Sequence, residues 1–191
     1  MRKLRTEEIE VHRPTPATLS QVTRLPLIGV LDNIRSLYNV GSMFRTADGA
    51  LLQSLYLTGY TPCPPRKEIE KTALGATHSV PWLFFGEPRD ALESARKTGA
   101  RICVLEQTTK SRPYTTIKKE EFPICLVVGN ELTGVTTSII DAADFAIEIP
   151  MFGIKHSLNA AVAFGIAVFE LSRIWRGPDP EPYTNTHRTP V

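Results

Sequence analysis

The sequence predicts an α/β domain built on a mostly parallel sheet flanked by helices. Short apolar runs alternate with helix-like segments through the middle of the chain. Several of these runs are continuously apolar rather than alternating, as strands buried on both faces of a parallel sheet are. The 191 residues suffice for one such domain with a sizeable core and short tails. Alternation gives the class but not the strand order.

In chain order, residues 1–24 mix charge with threonine and proline (HRPTPATLS) and read as a loosely held N-terminal arm with one short helix. Strands are predicted at Leu27–Leu31, Leu55–Thr58, Trp82–Phe85, Ile102–Leu105, Ile124–Val128 and Ala146–Ile149. Between the first two, Leu37, Val40, Phe44, Ala47 and Leu51 fall at three- and four-residue steps, which predicts a helix over Val40–Leu51. Asp90–Thr98 is predicted as an amphipathic helix stopped by Gly99, and Thr133–Ala143 as a shorter one. The last helix is expected to begin near Ser157 and end before Gly177-Pro178. Residues 176–191 are proline-rich and polar, the composition of a disordered tail.

Composition is that of an ordinary globular protein, 42% hydrophobic and 22% charged. A net charge of +2 is compatible with a polyanionic partner without arguing for one. The start, MRKLRTEEIE, has no apolar core of a secretory signal, and the longest apolar run, Ala160–Phe169, falls short of the roughly 20 residues of a membrane span. Cys63, Cys103 and Cys125 lack CxxC spacing, and the latter two lie in strand-like runs, where a buried free thiol is the simplest reading. These features predict a cytoplasmic protein with no membrane segment and no metal site.

Three stretches carry candidate chemistry. In LDNIRSLYNVGSMFRTADGA, Asn39 lies near a helix start and Arg45 one step round from the buried stripe, within reach of a strand's carboxyl end; a surface arginine is the plainer alternative. In LVVGNELTGV, a buried strand runs into Gly129, Asn130, Glu131 and Gly134, where glycine permits close approach of a ligand to backbone. The alternative there is a plain turn with Thr133 as N-cap and Glu131 in solvent. In IPMFGIKHSLNAAVAFGIAVFEL, Ser157 and Asn159 stand at the start of a helix with almost no polar face. Capping explains one of them but not the apolar girth that follows.

N-x5-R, G-N-E-x-x-G and IPMxGxxxSLN, in that order, closely resemble the SpoU (TrmH-like) branch of the SPOUT superfamily over roughly residues 25–175. Those proteins are S-adenosylmethionine-dependent RNA ribose 2′-O-methyltransferases. The resemblance implies a C-terminal deep trefoil knot, an exception to unknotted topology. It implies cofactor contacts at Leu105, Glu106, Gly129, Ile149, Met151, Ser157 and Leu158. It implies a homodimer through the last helix, with Phe164 and Val168 as candidates for the side that faces the partner. It implies Asn39, Arg45, Glu131, Ser157 and Asn159 as the catalytic and RNA-contacting set. No metal is implied. With only about 25 residues before the first strand, the chain resembles the compact members, which favours tRNA over rRNA. The basic residues Arg2, Lys3, Arg5, Arg66, Lys67, Lys71, Lys118 and Lys119 are candidate phosphate contacts. His156 stands where relatives often carry glutamine or serine, and is read as a solvated loop residue, with a proton acceptor or an RNA contact as the alternatives. Trp82, Phe84 and Phe85 are read as core or interface. The competing readings are a non-catalytic RNA-binding module with the same fold and a methyltransferase acting on a base nitrogen.

Overall fold

The computed structural model describes residues 1–11 and 13–177. The tail predicted for 176–191 therefore lies, from 178 onward, outside the described residues. The elements run α1 (Thr6–Glu10), β1 (Leu25–Asp32), α2 (Leu37–Gly49), β2 (Leu52–Thr58), α3 (Lys67–Ala73), α4 (Ala76–Ser79), β3 (Trp82–Phe85), α5 (Pro88–Lys97), β4 (Arg101–Leu105), β5 (Arg112–Pro113), β6 (Ile124–Val128), α6 (Thr137–Ala142), β7 (Phe145–Glu148) and α7 (Ala160–Arg176). All six predicted strands are present within a few residues.

The strands form one sheet in the order β3-β2-β1-β6-β4-β7-β5, and every pairing between named strands is parallel. Alternate residues of the central strands face opposite layers. Leu27, Leu31, Leu55, Leu126 and Cys103 pack on one side with Phe44 of α2 and Phe164 of α7. Ile28, Val30, Ile102, Val104 and Val127 pack on the other with Ala91, Leu92 and Ala95 of α5 and Ile139 of α6. Gly29 brings the first layer close: a Cβ there would lie 2.7 Å from Leu55 Cδ2 and 3.1 Å from the Phe164 ring. Cys103 and Cys125 are buried free thiols, as expected; burial pushes the Cys125 thiol up to about 12.

Departures from the predicted elements have local causes. α2 starts three residues early because the Ser36 hydroxyl accepts from the Asn39 N–H (3.3 Å) and caps it at Leu37. α6 starts at Thr137, not Thr133: an Asn130–Gly134 bridge and Gly134 at φ +70° keep the preceding segment in a closed loop. α7 starts at Ala160, not Ser157, because Asn159 is its N-cap. The unpredicted α3 and α4 span seven and four residues and β5 two, too short for periodicity to register.

α7 has two apolar sides. Phe164, Ala167, Val168 and Leu171 are buried in this chain's own core, whereas Val162 (50%), Ile166 (36%) and Phe169 (54%) form an exposed stripe. Among the described residues no helix is long and apolar enough to cross a membrane.

Candidate functional site

The carboxyl ends of β4, β6 and β7 lie side by side, paired through Val104↔Val127 and Leu105↔Ile147. Beyond them opens a cavity of about 540 Å³, at the edge where parallel sheets hold ligands. Leu105, Glu106, Gly129, Ile149, Met151, Ser157 and Leu158, the expected cofactor contacts, all line it. Three segments that are distant in sequence converge there, around residues 105–107, 128–140 and 148–163.

The loop after β6 closes on itself. Asn130 N–H donates to Gly134 O and Gly134 N–H to Asn130 O, each at 3.0 Å. A Cβ at Gly129 would lie 2.2 Å from the Gly134 and Val135 backbone. Glycine at 129 is therefore required by the chain's own loop, and its backbone also lines the cavity. At Gly134 a Cβ would meet Glu106 Oε2 at 2.3 Å, so the glycine admits the carboxylate. Glu106 Oε2 accepts from the Val135 N–H (3.0 Å) and Oε1 from the Gln107 N–H (2.9 Å). Asp32, fully buried at the end of β1, accepts from the Thr136 N–H (2.9 Å) and hydroxyl (2.8 Å) and so anchors the far end of the loop.

Glu131 is not in solvent. It accepts from the Arg35 N–H (2.9 Å), the Ser36 N–H (3.1 Å) and the Asn39 side-chain amide (2.8 Å). Burial works against its ionisation. The hydrogen bonds from the Arg35 N–H, its own N–H, the Asn39 amide and the Ser36 N–H outweigh that and hold its carboxyl below the usual carboxylate range. Asn39 Oδ1 in turn accepts from Asn159 Nδ2 (3.1 Å), and Asn159 Oδ1 accepts from the Ala161 (2.9 Å) and Val162 (3.2 Å) N–H groups. Glu131, Asn39 and Asn159, one from each stretch singled out in the sequence, thus form one chain of hydrogen bonds ending on the α7 N-terminus.

The other predicted residues stand apart from that chain. Ser157 lines the cavity from the loop before α7 rather than from the helix. Arg45 is exposed on α2, does not line the cavity, and has no ion-pair or hydrogen-bond partner among the described residues. His156 lines the cavity, and its carbonyl accepts from Gln107 Nε2 at 2.5 Å. Of the phosphate candidates, Arg2 and Arg5 pair with Glu8 and Lys119 sits over the Trp175 ring at 5.1 Å. Trp82 packs edge-on against Phe44 at 6.3 Å, whereas Phe84 is half exposed.

Among the lining residues that sequence reasoning missed are the polar Gln107, Asn130, Thr133, Thr137 and Glu148. Asn130 lay within a quoted motif, and its role shows only in three dimensions: its Nδ2 donates to Asn33 O (2.8 Å) and its Oδ1 accepts from the Leu132 (2.8 Å) and Thr133 (3.1 Å) N–H groups. Among the described residues, the charged ones lining the cavity are Glu106, Glu131 and Glu148, with no lysine or arginine. Such a lining suits a cationic ligand and offers nothing to a polyphosphate.

The model of the SpoU rRNA methylase family matches residues 26–169. A tRNA (guanosine(18)-2′-O)-methyltransferase from Aquifex aeolicus is 31% identical over 149 residues, 77% of this chain and 69% of that protein. The structure of the Aquifex aeolicus TrmH/SpoU tRNA modifying enzyme superposes with a TM-score of 0.71 at 30% identity, covering 80% of this chain and 76% of that one. An AdoMet-bound rRNA methyltransferase from Sinorhizobium meliloti superposes with a TM-score of 0.73 at 29% identity, over 84% of this chain and 61% of that one. The chain spans 59% of the length of a relative from Staphylococcus haemolyticus, 26% identical over 149 residues.

Proposed function

The chain belongs to the SpoU rRNA methylase family, and we propose on that footing that it transfers a methyl group from S-adenosylmethionine to a ribose 2′-hydroxyl of RNA. The observation that carries this reading is the single cavity lined by all seven expected cofactor contacts. Its charge also fits. S-adenosylmethionine supplies a methyl group already activated on a sulfonium, and Glu106, Glu131 and Glu148 suit that positive charge. The residues around the mouth then have to hold the ribose in line and stabilise its oxygen as the proton leaves.

Arg45 is the side chain for the second task. Its guanidinium, with a pKa above 12, is a very poor proton acceptor, but it can donate to the developing 2′-oxyanion and to a neighbouring phosphate. Its lack of an internal partner among the described residues leaves it available for that role. Asn39, Glu131 and Asn159 hold the loop after β6, the start of α2 and the start of α7 in register, and Ser157 contributes to the cavity wall. The Aquifex relatives are named for tRNA, which supports tRNA as the substrate here and a cytoplasmic location.

The exposed stripe of α7 supports a homodimer, because one small sheet covers only its other side. The sheet order and the family support a knotted C-terminal segment within a domain spanning 25–175. Calorimetry with chelator present tests the cofactor and is expected to show one S-adenosylmethionine site per chain. Digestion of methylated tRNA tests the reaction and should yield an alkali-resistant dinucleotide carrying a 2′-O-methyl group. Methylation on a base in that digest would overturn it.

A further inference from the structure

On the other side of the loop after β6 lies a second, open groove of about 500 Å³, lined by Arg35, Leu37, Tyr60, Pro62, Leu132 and Thr133. Leu132 and Thr133 also line the cofactor cavity, as does Asn130, so one loop separates the two spaces. Resting on the RNA methyltransferase reading, we propose that this groove receives an unpaired nucleobase of the RNA, at or next to the target nucleotide, stacked on Tyr60 with its phosphate at Arg35.

Tyr60 is 61% exposed, yet it is anchored at both ends. Its backbone N–H donates to Asn33 Oδ1 at 3.2 Å, and its hydroxyl oxygen accepts from Asn130 Nδ2 at 2.8 Å. Both anchors are themselves fixed. Gly59, at φ +61°, leaves room for the Asn33 side chain, since a Cβ there would lie 2.0 Å from Asn33 Oδ1. Asn130 is 6% exposed and its side chain is also engaged with Asn33 O and the Leu132 and Thr133 N–H groups. Thr61, next in the chain, donates to Leu31 O (2.9 Å) and accepts from the Ile34 N–H (3.0 Å), tying the loop after β2 to the loop after β1. An aromatic ring is thereby held in place while facing solvent, and such a ring loses little conformational freedom when a base stacks on it.

The rim supplies the matching charge. Arg35 is exposed, and its guanidinium has no hydrogen-bond or ion-pair partner among the described residues. Because the Tyr60 hydroxyl accepts from Asn130, its own proton remains to be donated to a base edge or phosphate. Stacking tolerates any base, so the groove selects for an unpaired nucleotide, as in a loop, and not for a particular sequence. Asn130 joins the ring to the loop that walls the cavity, which places a stacked base one loop's thickness from the methyl donor's site.

The test uses the full chain with unfractionated tRNA and measures S-adenosylmethionine affinity alongside RNA methylation. Tyr60→Ala is expected to raise KM for tRNA roughly tenfold, Tyr60→Trp to retain most of the affinity, and Arg35→Ala to raise KM several-fold with a shallower salt dependence. Cofactor affinity should stay unchanged in all three. Ultraviolet cross-linking of wild-type protein to tRNA, mapped by mass spectrometry, should place a nucleotide adduct on Tyr60. Unchanged KM in Tyr60→Ala, adducts only elsewhere, or cofactor affinity falling in step with RNA affinity would overturn the subsite while leaving the methyltransferase reading intact. A wild-type protein that neither binds nor methylates RNA would overturn both.

Discussion

The Glu131 carboxylate accepts a hydrogen bond from the Asn39 side-chain amide at 2.8 Å, across 92 residues of sequence. Through this bond the loop after β6 grips the first turn of α2, and Asn159 extends the link to the start of α7. Three segments whose sequence motifs look separate are therefore one mechanical unit.

That unit makes a prediction about pH. Folding holds the Glu131 carboxyl below its ordinary value. Its contribution to stability is thus fully present above the unfolded-state value of about 4.3 and is lost as pH falls through the lower folded-state value. Glu131→Gln, which presents an amide N–H where an acceptor is needed, should cost about 1 kcal/mol at pH 7. The deficit relative to wild type should shrink below a pH of about 4. Urea unfolding at neutral pH and at two acid values either side of that point measures it; a deficit independent of pH would mean that the charge of Glu131 contributes nothing.

Gly134 is held at φ +70°, and the space of its missing Cβ is taken by the Glu106 carboxylate. Gly134→Ala should strain the backbone, displace Glu106 and lower S-adenosylmethionine affinity by roughly tenfold or more, while stability falls by about 1–2 kcal/mol. Calorimetry together with thermal melting separates the two effects. Undiminished cofactor affinity would remove Glu106 and this loop from the binding site.

The two sides of α7 should respond differently to the same substitution. Phe164 and Val168 are fully buried against this chain's own sheet, so the expectation that either one faces a partner is corrected. Phe164→Glu should unfold the domain, because it buries an unpaired charge. Ile166→Glu or Phe169→Glu, on the exposed stripe, should leave the fold intact and yield monomers in sedimentation at micromolar concentration. A monomeric wild type would end the dimer proposal.

Arg45→Ala should lower methyl transfer about a hundredfold, the roughly 3 kcal/mol expected when one charge-assisted hydrogen bond is missing from a transition state. Cofactor affinity should not change, since Arg45 does not line the cavity. Arg45→Lys keeps the charge but not the planar fork, and should recover only part of the activity. Ser157→Ala, at the cavity wall, should weaken cofactor binding as well as rate. Full turnover by Arg45→Ala would remove it from the mechanism.

The α/β class and the six main strands were legible in the amino-acid sequence, and its motifs pointed through the family resemblance to seven of the residues that line the cavity. Continuous apolar runs such as Ile124–Val128 record burial on both faces, and burial is a local property of each strand. Short-range chemistry was legible in part: the pair Ser157 and Asn159 marked a helix start, but the structure makes Asn159 the cap and begins the helix at Ala160 rather than near Ser157. Other features depend on which surfaces meet. Packing placed β6 between β1 and β4, filled the space beside Gly129 with the chain's own backbone, and left Arg45 outside the cavity. It split the apolar girth of α7 into a buried face and an exposed stripe, and held Tyr60 open to solvent by anchors 27 and 70 residues away. A side chain's polarity and period fix whether it wants to be buried, but its partner is chosen by packing between segments far apart in the chain, and no local pattern encodes that choice.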